Sequence, residues 1–279
     1  METQFRNILW EKRKEGVLVA AHRGTNGANI IQNTCLSCEN ALLHSADLVE
    51  VDGILSADGI FFAFHDGEEE SLWGIKCDIR RMVSTEIERF PCRNQLDIYV
   101  DQRVERLKKI LDRFKGRGLI NIDRTWFYWK EIISFLEKFG MYDQVILKAP
   151  AKERYLKELE ESGSPVMFMP IIRTEKEWEL VQKYDVNVVA VEIIFENLEQ
   201  PVAQKEFIAK LHEKHILAWV NALTLNDDVT LSALLDDNRA IMNGFDTTWG
   251  KLIEMGFDVI QTDWPALLKP YITEKRLNH

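Results

Sequence analysis

Nine short apolar runs punctuate this chain, and eight of them end in a charged or polar side chain. They cover residues 17–22, 48–52, 60–65, 119–123, 145–148, 166–172, 187–192, 216–221 and 259–263. Several are rich in Val and Ile and nearly unbroken, as strands buried on both faces of a parallel sheet are. Helix-like stretches lie between them, at residues 33–45, 104–114, 126–139, 152–162, 175–184, 203–215 and 248–255. Gly140 and Gly256 sit where two of these would be capped. Asp58-Gly59 is a turn signal that pairs the run at 60–65 with the run at 48–52 as a hairpin. Counting the hairpin once leaves eight βα units, which predicts an α/β fold, a (β/α)8 TIM barrel with an insertion after the second strand. A doubly wound open sheet is the competing architecture. However, His22-Arg23-Gly24 after the first run is not a Gly-rich dinucleotide loop. Residues 67–100 break the alternation and read as a small cap-like insertion over the barrel mouth. No long Gly/Ser/Pro linker divides the sequence, so residues 1–279 read as one domain.

Hydrophobic residues make up 46% and charged residues 29%, which excludes a disordered chain and permits a large core. The 35 basic and 45 acidic side chains give a net charge of −10, which argues against a nucleic-acid or anionic-membrane partner. A small anionic substrate remains compatible, because a metal or a few local cations can reverse the field inside one cleft. Cys35 and Cys38 form a CxxC pair, but no second pair or suitable His follows, and buried thiols are the expected reading. The N-terminal stretch is charged and has no apolar leader segment, so a cytoplasmic location is expected. No run approaches the roughly 20 apolar residues of a membrane span, so no stable membrane insertion is expected.

In a barrel the C-terminal ends of the strands share one rim, where active sites are built. Glu50 and Asp52 are spaced i, i+2 and point to the same face of a strand. They are either strand-end surface carboxylates or, with Asp123 as candidate third ligand, the oxygen donors of a hard divalent metal. His22 and His65 each end a strand and form a candidate acid–base pair. Arg23 and Lys148 add positive charge suited to phosphate oxygens. Together these groups fit phosphoryl transfer better than acyl transfer, which would show a GxSxG elbow, or glycoside hydrolysis. Trp219, Phe64 and Trp264 serve either a pocket or barrel packing. No role is assigned to His44, His212, His215 or His279.

These residues resemble the glycerophosphodiester phosphodiesterase family. Its hallmarks are His-Arg-Gly, Glu-Asn-Thr, Glu-x-Asp and His-Asp. They read here as His22-Arg23-Gly24, Gln32-Asn33-Thr34, Glu50-Val51-Asp52 and His65-Asp66. Asp58-Gly59, Trp219-Val220-Asn221 and the stretch from Gly256 through Thr262-Asp263-Trp264-Pro265 are similar to later family motifs, so the resemblance spans about residues 16–270. It implies a divalent metal, Ca2+ or Mg2+, on Glu50, Asp52 and Asp123. It implies His22 and His65 as acid and base, with Arg23, Lys148, Asn33 and Trp219 as substrate contacts. A small-molecule glycerophosphodiester would be cleaved to glycerol 3-phosphate and an alcohol. Three departures stand out. Gln32 replaces Glu, Asp123-Arg124-Thr125 replaces Glu-x-Lys, and Glu68-Glu69-Glu70 stands where the family is Arg-rich, reading as a solvated charge run. They motivate two alternatives: a non-catalytic binder of phosphorylated ligands, or a phosphodiesterase or lyase acting on another diester.

Overall fold

The computed structural model describes residues 7–225 and 229–277. Its strands are β1 (Leu18–Ala21), β2 (Leu48–Leu55), β3 (Phe61–Ala63), β4 (Leu119–Asp123), β5 (Val145–Pro150), β6 (Met167–Ile172), β7 (Ala190–Ile193), β8 (Leu217–Asn221) and β9 (Val259–Thr262). Eight of them pair in parallel in the order β1-β2-β4-β5-β6-β7-β8-β9, and β1 also pairs with β9, so the sheet closes into a barrel. Helices follow the strands around the outside, among them Cys35–Leu43, Leu107–Phe114, Trp129–Phe139, Glu153–Ser162 and Lys205–His212. Gly140 and Gly256 end two of them in the left-handed conformation, as anticipated.

The hairpin differs from expectation in one respect. β2 runs three residues past Asp52, and β3 pairs antiparallel with that extension, Gly53 to Leu55, rather than with residues 48–52. The reason is closure: Leu48 to Asp52 pairs with β4 on one side, and Leu48 and Val49 with β1 on the other. The short helix Asp237–Asn243 and the terminal helix Pro265–Leu277, the latter only weakly amphipathic, were not anticipated.

Alternation along each strand sorts the core into layers. Val49, Val51, Ile120 and Ile122 pack outward against helix residues such as Leu107, Ile110 and Leu136. Leu18, Ala20, Leu48, Ile146, Met167 and Trp219 fill the lower barrel interior, and Leu9 of the N-terminal helix belongs to the same cluster. The Trp10 ring lies 5.7 Å from that of His212 and 5.0 Å from that of His215, and His212 Nε2 is 2.8 Å from Asp258. Those two histidines therefore serve structure, while His279 lies outside the described residues. Trp73, Ile79, Ile87 and Cys92 of the segment after the hairpin pack with Ile31, Phe62 and Phe64 into a separate cluster. Phe64 is thus a packing residue, stacked 5.2 Å from Trp73. No helix among the described residues is long and apolar enough to cross a membrane.

Candidate active site

The register that closes the barrel also builds the site. Asp52 stands opposite Asp123, and Glu50 opposite Asn121, across the β2–β4 pairing. One ligand atom from each of Glu50, Asp52 and Asp123 lies within 4.8 Å of the others. Glu50 and Asp52 are buried, and Asp123 is partly exposed at the mouth. Burial, then the neighbouring Asp52, pushes Glu50 up to about 7. Asp52 is held below the ordinary carboxylate range: burial would raise it, but Arg23, His65 and the hydrogen bond from Asn33 outweigh that. The Asn121 Oδ1 opposite Glu50 is buried and has no hydrogen-bond partner among the described residues.

The chain after β1 bends sharply to serve these carboxylates. Arg23 has φ +53° and Gly24 φ +72°. A Cβ on Gly24 would lie 2.5 Å from the Ser37 carbonyl carbon, so only glycine fits that bend. The bend turns the Arg23 N–H onto Glu50 Oε2 at 3.0 Å. The Arg23 guanidinium ion-pairs with Asp52 at 3.0 Å and with Glu68 at 2.6 Å. Gln32 joins the same group, donating to Glu68 at 2.6 Å and accepting from Arg23 at 3.3 Å. The acidic run at 68–70 is therefore not simply solvated: Glu68 binds Arg23, and Glu69 is buried and accepts from the backbone N–H groups of Gly67 and Ile79. Only Glu70 faces solvent freely, with a 3.7 Å contact to Lys76.

Two imidazoles flank the carboxylates, and both act on the charge of Asp52. His22 Nδ1 is 2.9 Å from Asp263 Oδ1. Burial alone would lower its pKa, but the Asp263 bond and the charge of Glu50 raise it above the ordinary value. Asp263 is itself held in place. Asp237 accepts from the Asp263 N–H and the Thr262 hydroxyl, both at 2.8 Å, and from the Trp249 indole at 2.9 Å. His65 Nδ1 lies 2.7 Å from the Asp66 carbonyl oxygen, so it carries the proton and leaves Nε2 as the free acceptor. Arg124, next to Asp123 with φ +62°, ties Asp66 in place at 2.6 Å.

Three sequence candidates sit deeper than expected. Lys148 is 3% exposed and bridges Asp123 at 2.9 Å and Glu192 at 3.0 Å. Burial would lower its pKa, but those carboxylates hold it above the ordinary lysine value. Asn33 is buried behind Asp52, donating to its carboxylate and accepting its backbone N–H, each at 2.9 Å. Trp219 is fully buried, and its indole donates to Asn221 and Gln261, both at 3.2 Å. A side chain without exposed surface at the rim does not line a substrate pocket, so Trp219 is corrected to barrel packing. Sequence reasoning assigned no role to Asp263, Glu68 or Glu192. Asp263 carried the same strand-end signal as the other rim residues. The CxxC pair is two free thiols; Cys38 is buried, as expected, whereas Cys35 is half-buried, and burial raises both, Cys35 to about 12.

Comparison with known proteins agrees with this geometry at the level of the fold. A glycerophosphoryl diester phosphodiesterase from Parabacteroides distasonis superposes with a TM-score of 0.76 at 16% identity, over 93% of this chain and 87% of that one. A glycerophosphodiester phosphodiesterase from Thermotoga maritima gives 0.67 at 21% identity, over 91% and 98%. An Oleispira antarctica phosphodiesterase, solved with the product sn-glycerol-3-phosphate, gives 0.65 at 16% identity, over 94% and 99%. The chain has the TIM-barrel fold of these phosphodiesterases. One family profile matches, at residues 168–272, and is described as a domain of unknown function. It covers β6 to β9 and so excludes His22, Glu50, Asp52, His65 and Asp123. No curated protein sequence matches the chain.

Proposed function

We propose that this protein is a metal-dependent glycerophosphodiester phosphodiesterase. The observation that carries the reading is the three-carboxylate cluster, with ligand atoms within 4.8 Å of one another and a strand-end imidazole acting on it from β1 and another from the hairpin. The donor set fits a hard divalent ion such as Ca2+ or Mg2+: all three ligands are oxygens, two are buried, and the Asn121 oxygen beside them lacks a partner. When bound, such an ion supplies charge neutralisation on the phosphoryl oxygens.

The protein's own groups divide the remaining work. Arg23 holds a phosphoryl oxygen, with the side chain exchanging its contact to Glu68 for substrate. His65, neutral at Nε2, takes the proton from a glycerol hydroxyl or water. His22, favoured as the cation by Asp263, gives its proton to the departing alcohol. Asn33 and Lys148 orient Asp52 and Asp123 from behind. Attack by water gives glycerol 3-phosphate and an alcohol directly; attack by the glycerol hydroxyl expels the alcohol with a cyclic phosphate, which water then opens to glycerol 3-phosphate with the two imidazoles exchanging roles.

Glycerol 3-phosphate release from a panel of glycerophosphodiesters tests this. His22→Ala and His65→Ala should each lose at least about 10²-fold in kcat while retaining the wild-type melting temperature. Chelation should abolish turnover, and Mg2+ or Ca2+ should restore it. Full turnover in either variant, or after chelation, defeats the proposal. A second reading, a non-catalytic binder of phosphorylated ligands, is favoured by Lys148 occupying Asp123 and Glu68 occupying Arg23. It predicts binding without turnover under every divalent ion tried.

A further inference from the structure

We propose that the alcohol leaving on the His22 side is a neutral polyhydroxylated group, a cyclic polyol or sugar, and not an ammonium-bearing one. This rests on the phosphodiesterase reading and adds the class of head group. A groove of about 620 Å3 opens beside His22 and Asp263. That volume lies within the range of sites that enclose whole small molecules, so it exceeds the need of glycerol alone. Its wall carries four carboxamides, Asn26, Gln32, Asn40 and Gln95, and the indole of Trp264, which is 47% exposed.

Charge is what decides the class. Among the described residues no Lys or Arg lines the groove, and its one carboxylate, Asp263, is partly exposed and spends Oδ1 on His22, leaving Oδ2 to accept from a hydroxyl. The nearby Glu68 is taken up by Arg23 and Gln32. The other titratable wall groups are the imidazoles of His22 and His44, which do not attract a cation. An ammonium would thus meet no carboxylate that is not already paired with an imidazole, and no aromatic cage, since Trp264 is the single large aromatic on the wall among the described residues. Hydroxyls are matched instead. Asn26 spends its Oδ1 on Gln95, and Asn40 spends its Nδ2 on the Thr25 carbonyl. The Asn26 Nδ2, Gln95 Oε1 and Asn40 Oδ1 have no partner among the described residues. A hydroxyl both donates and accepts, so this mixture of free donors and acceptors suits it. The Trp264 face offers a flat apolar platform to a ring's C–H side. Its backbone is fixed by a 2.9 Å bond from its N–H to the Thr262 hydroxyl.

The test compares kcat/KM for glycerophosphoinositol and glycerophosphocholine, with binding of free myo-inositol and free choline followed by saturation-transfer NMR. The inositol ester should be preferred at least about tenfold, and Trp264→Ala should shrink that ratio three- to tenfold, roughly the worth of one aromatic contact. Asn26→Asp keeps the acceptor for Gln95 but adds a negative charge, so it should move the ratio toward choline. Equal turnover of both esters, or a ratio unmoved by both variants, overturns the head-group assignment and leaves the phosphodiesterase reading standing. Binding of inositol that requires Trp264, without hydrolysis of any ester, does the reverse. Preferential binding of free choline overturns the assignment whether or not hydrolysis is seen.

Discussion

The lower and upper halves of the barrel interior are built on the same strands and are nearly equally buried, yet they are held together differently. Below, Leu18, Leu48, Ile146, Met167 and Trp219 meet by shape. Above, one or two steps further along the strands, Glu50, Asp52, Asn121, Lys148, Glu192 and Gln261 are all at most 3% exposed and depend on polar partners such as Arg23, Asn33, Asp123 and each other. An apolar layer tolerates local change because its contacts are many and weak. A buried charged layer does not, because each group is the counter-charge of another. The lower layer therefore sets stability, and the upper layer holds a charge arrangement that folding alone does not favour. Function is the natural reason to keep it.

The sharpest way to break that contrast is to damage each half and ask what fails. Trp219→Ala should cost about 4 kcal/mol by opening a cavity in the lower layer. The KM of any surviving folded enzyme should stay near wild type, and a large rise in KM would return Trp219 to the substrate pocket. Lys148→Met should cost about 3 kcal/mol by leaving Asp123 and Glu192 without their cation. Part of that loss should be recovered when a divalent ion is added, since Asp123 is then paired again. Denaturant melts with and without Mg2+ read both effects. Glu50→Gln should act in the opposite direction. It removes a buried carboxylate crowded by Asp52 and should raise the stability of the metal-free protein by about 1 kcal/mol, roughly 3 °C in Tm. The same change should remove most of the stabilisation that added metal gives the wild type. A Glu50→Gln protein still stabilised by Mg2+ as strongly as wild type would mean that Glu50 is not a ligand.

The two halves were also unequally legible in the sequence. Inward direction was readable from the two-residue period, which set Glu50 and Asp52 on one face, and the unbroken apolar runs gave eight strands near their observed bounds. Depth was not. Trp219 and Asn221 share an inward face, and only the stagger between strands fixes which of them reaches the mouth. Trp219 lies beside Glu192 and Val259 in the pairing, one step below the rim. The Lys148–Glu192 pair was hidden because β5 and β7 are not neighbours. Closure stacks inward residues of alternate strands into one layer, and local spacing carries no trace of it. The role of Glu68 was hidden for a different reason: it comes from a turn whose path depends on the packing of Trp73 and Ile79 against the hairpin. The acidic run looked like surface charge because nothing in the sequence says that Arg23 faces it.

The smallest effect should come from the edge of the upper layer, where Asp263 meets His22. The folded protein raises the His22 pKa through the Asp263 bond and the charge of Glu50, against the lowering effect of burial. Asp263→Asn removes one of the two supports and leaves burial unopposed by that bond. The His22 pKa should then fall, and the limb of the pH–rate profile that His22 governs should move to lower pH by about half to one unit, a change worth roughly 1 kcal/mol. If His22 is the acid, as proposed, that limb is the alkaline one, and activity should be lost earlier as pH rises while the acidic limb stays where it was. Movement of the acidic limb instead would exchange the roles of His22 and His65. A profile that drops in height without moving would mean that Asp263 only orients the ring. Asp237→Asn provides the control, because Asp237 holds the Asp263 N–H and the Thr262 hydroxyl without touching His22. It should lower kcat by loosening that turn and shift the same limb by less than Asp263→Asn does.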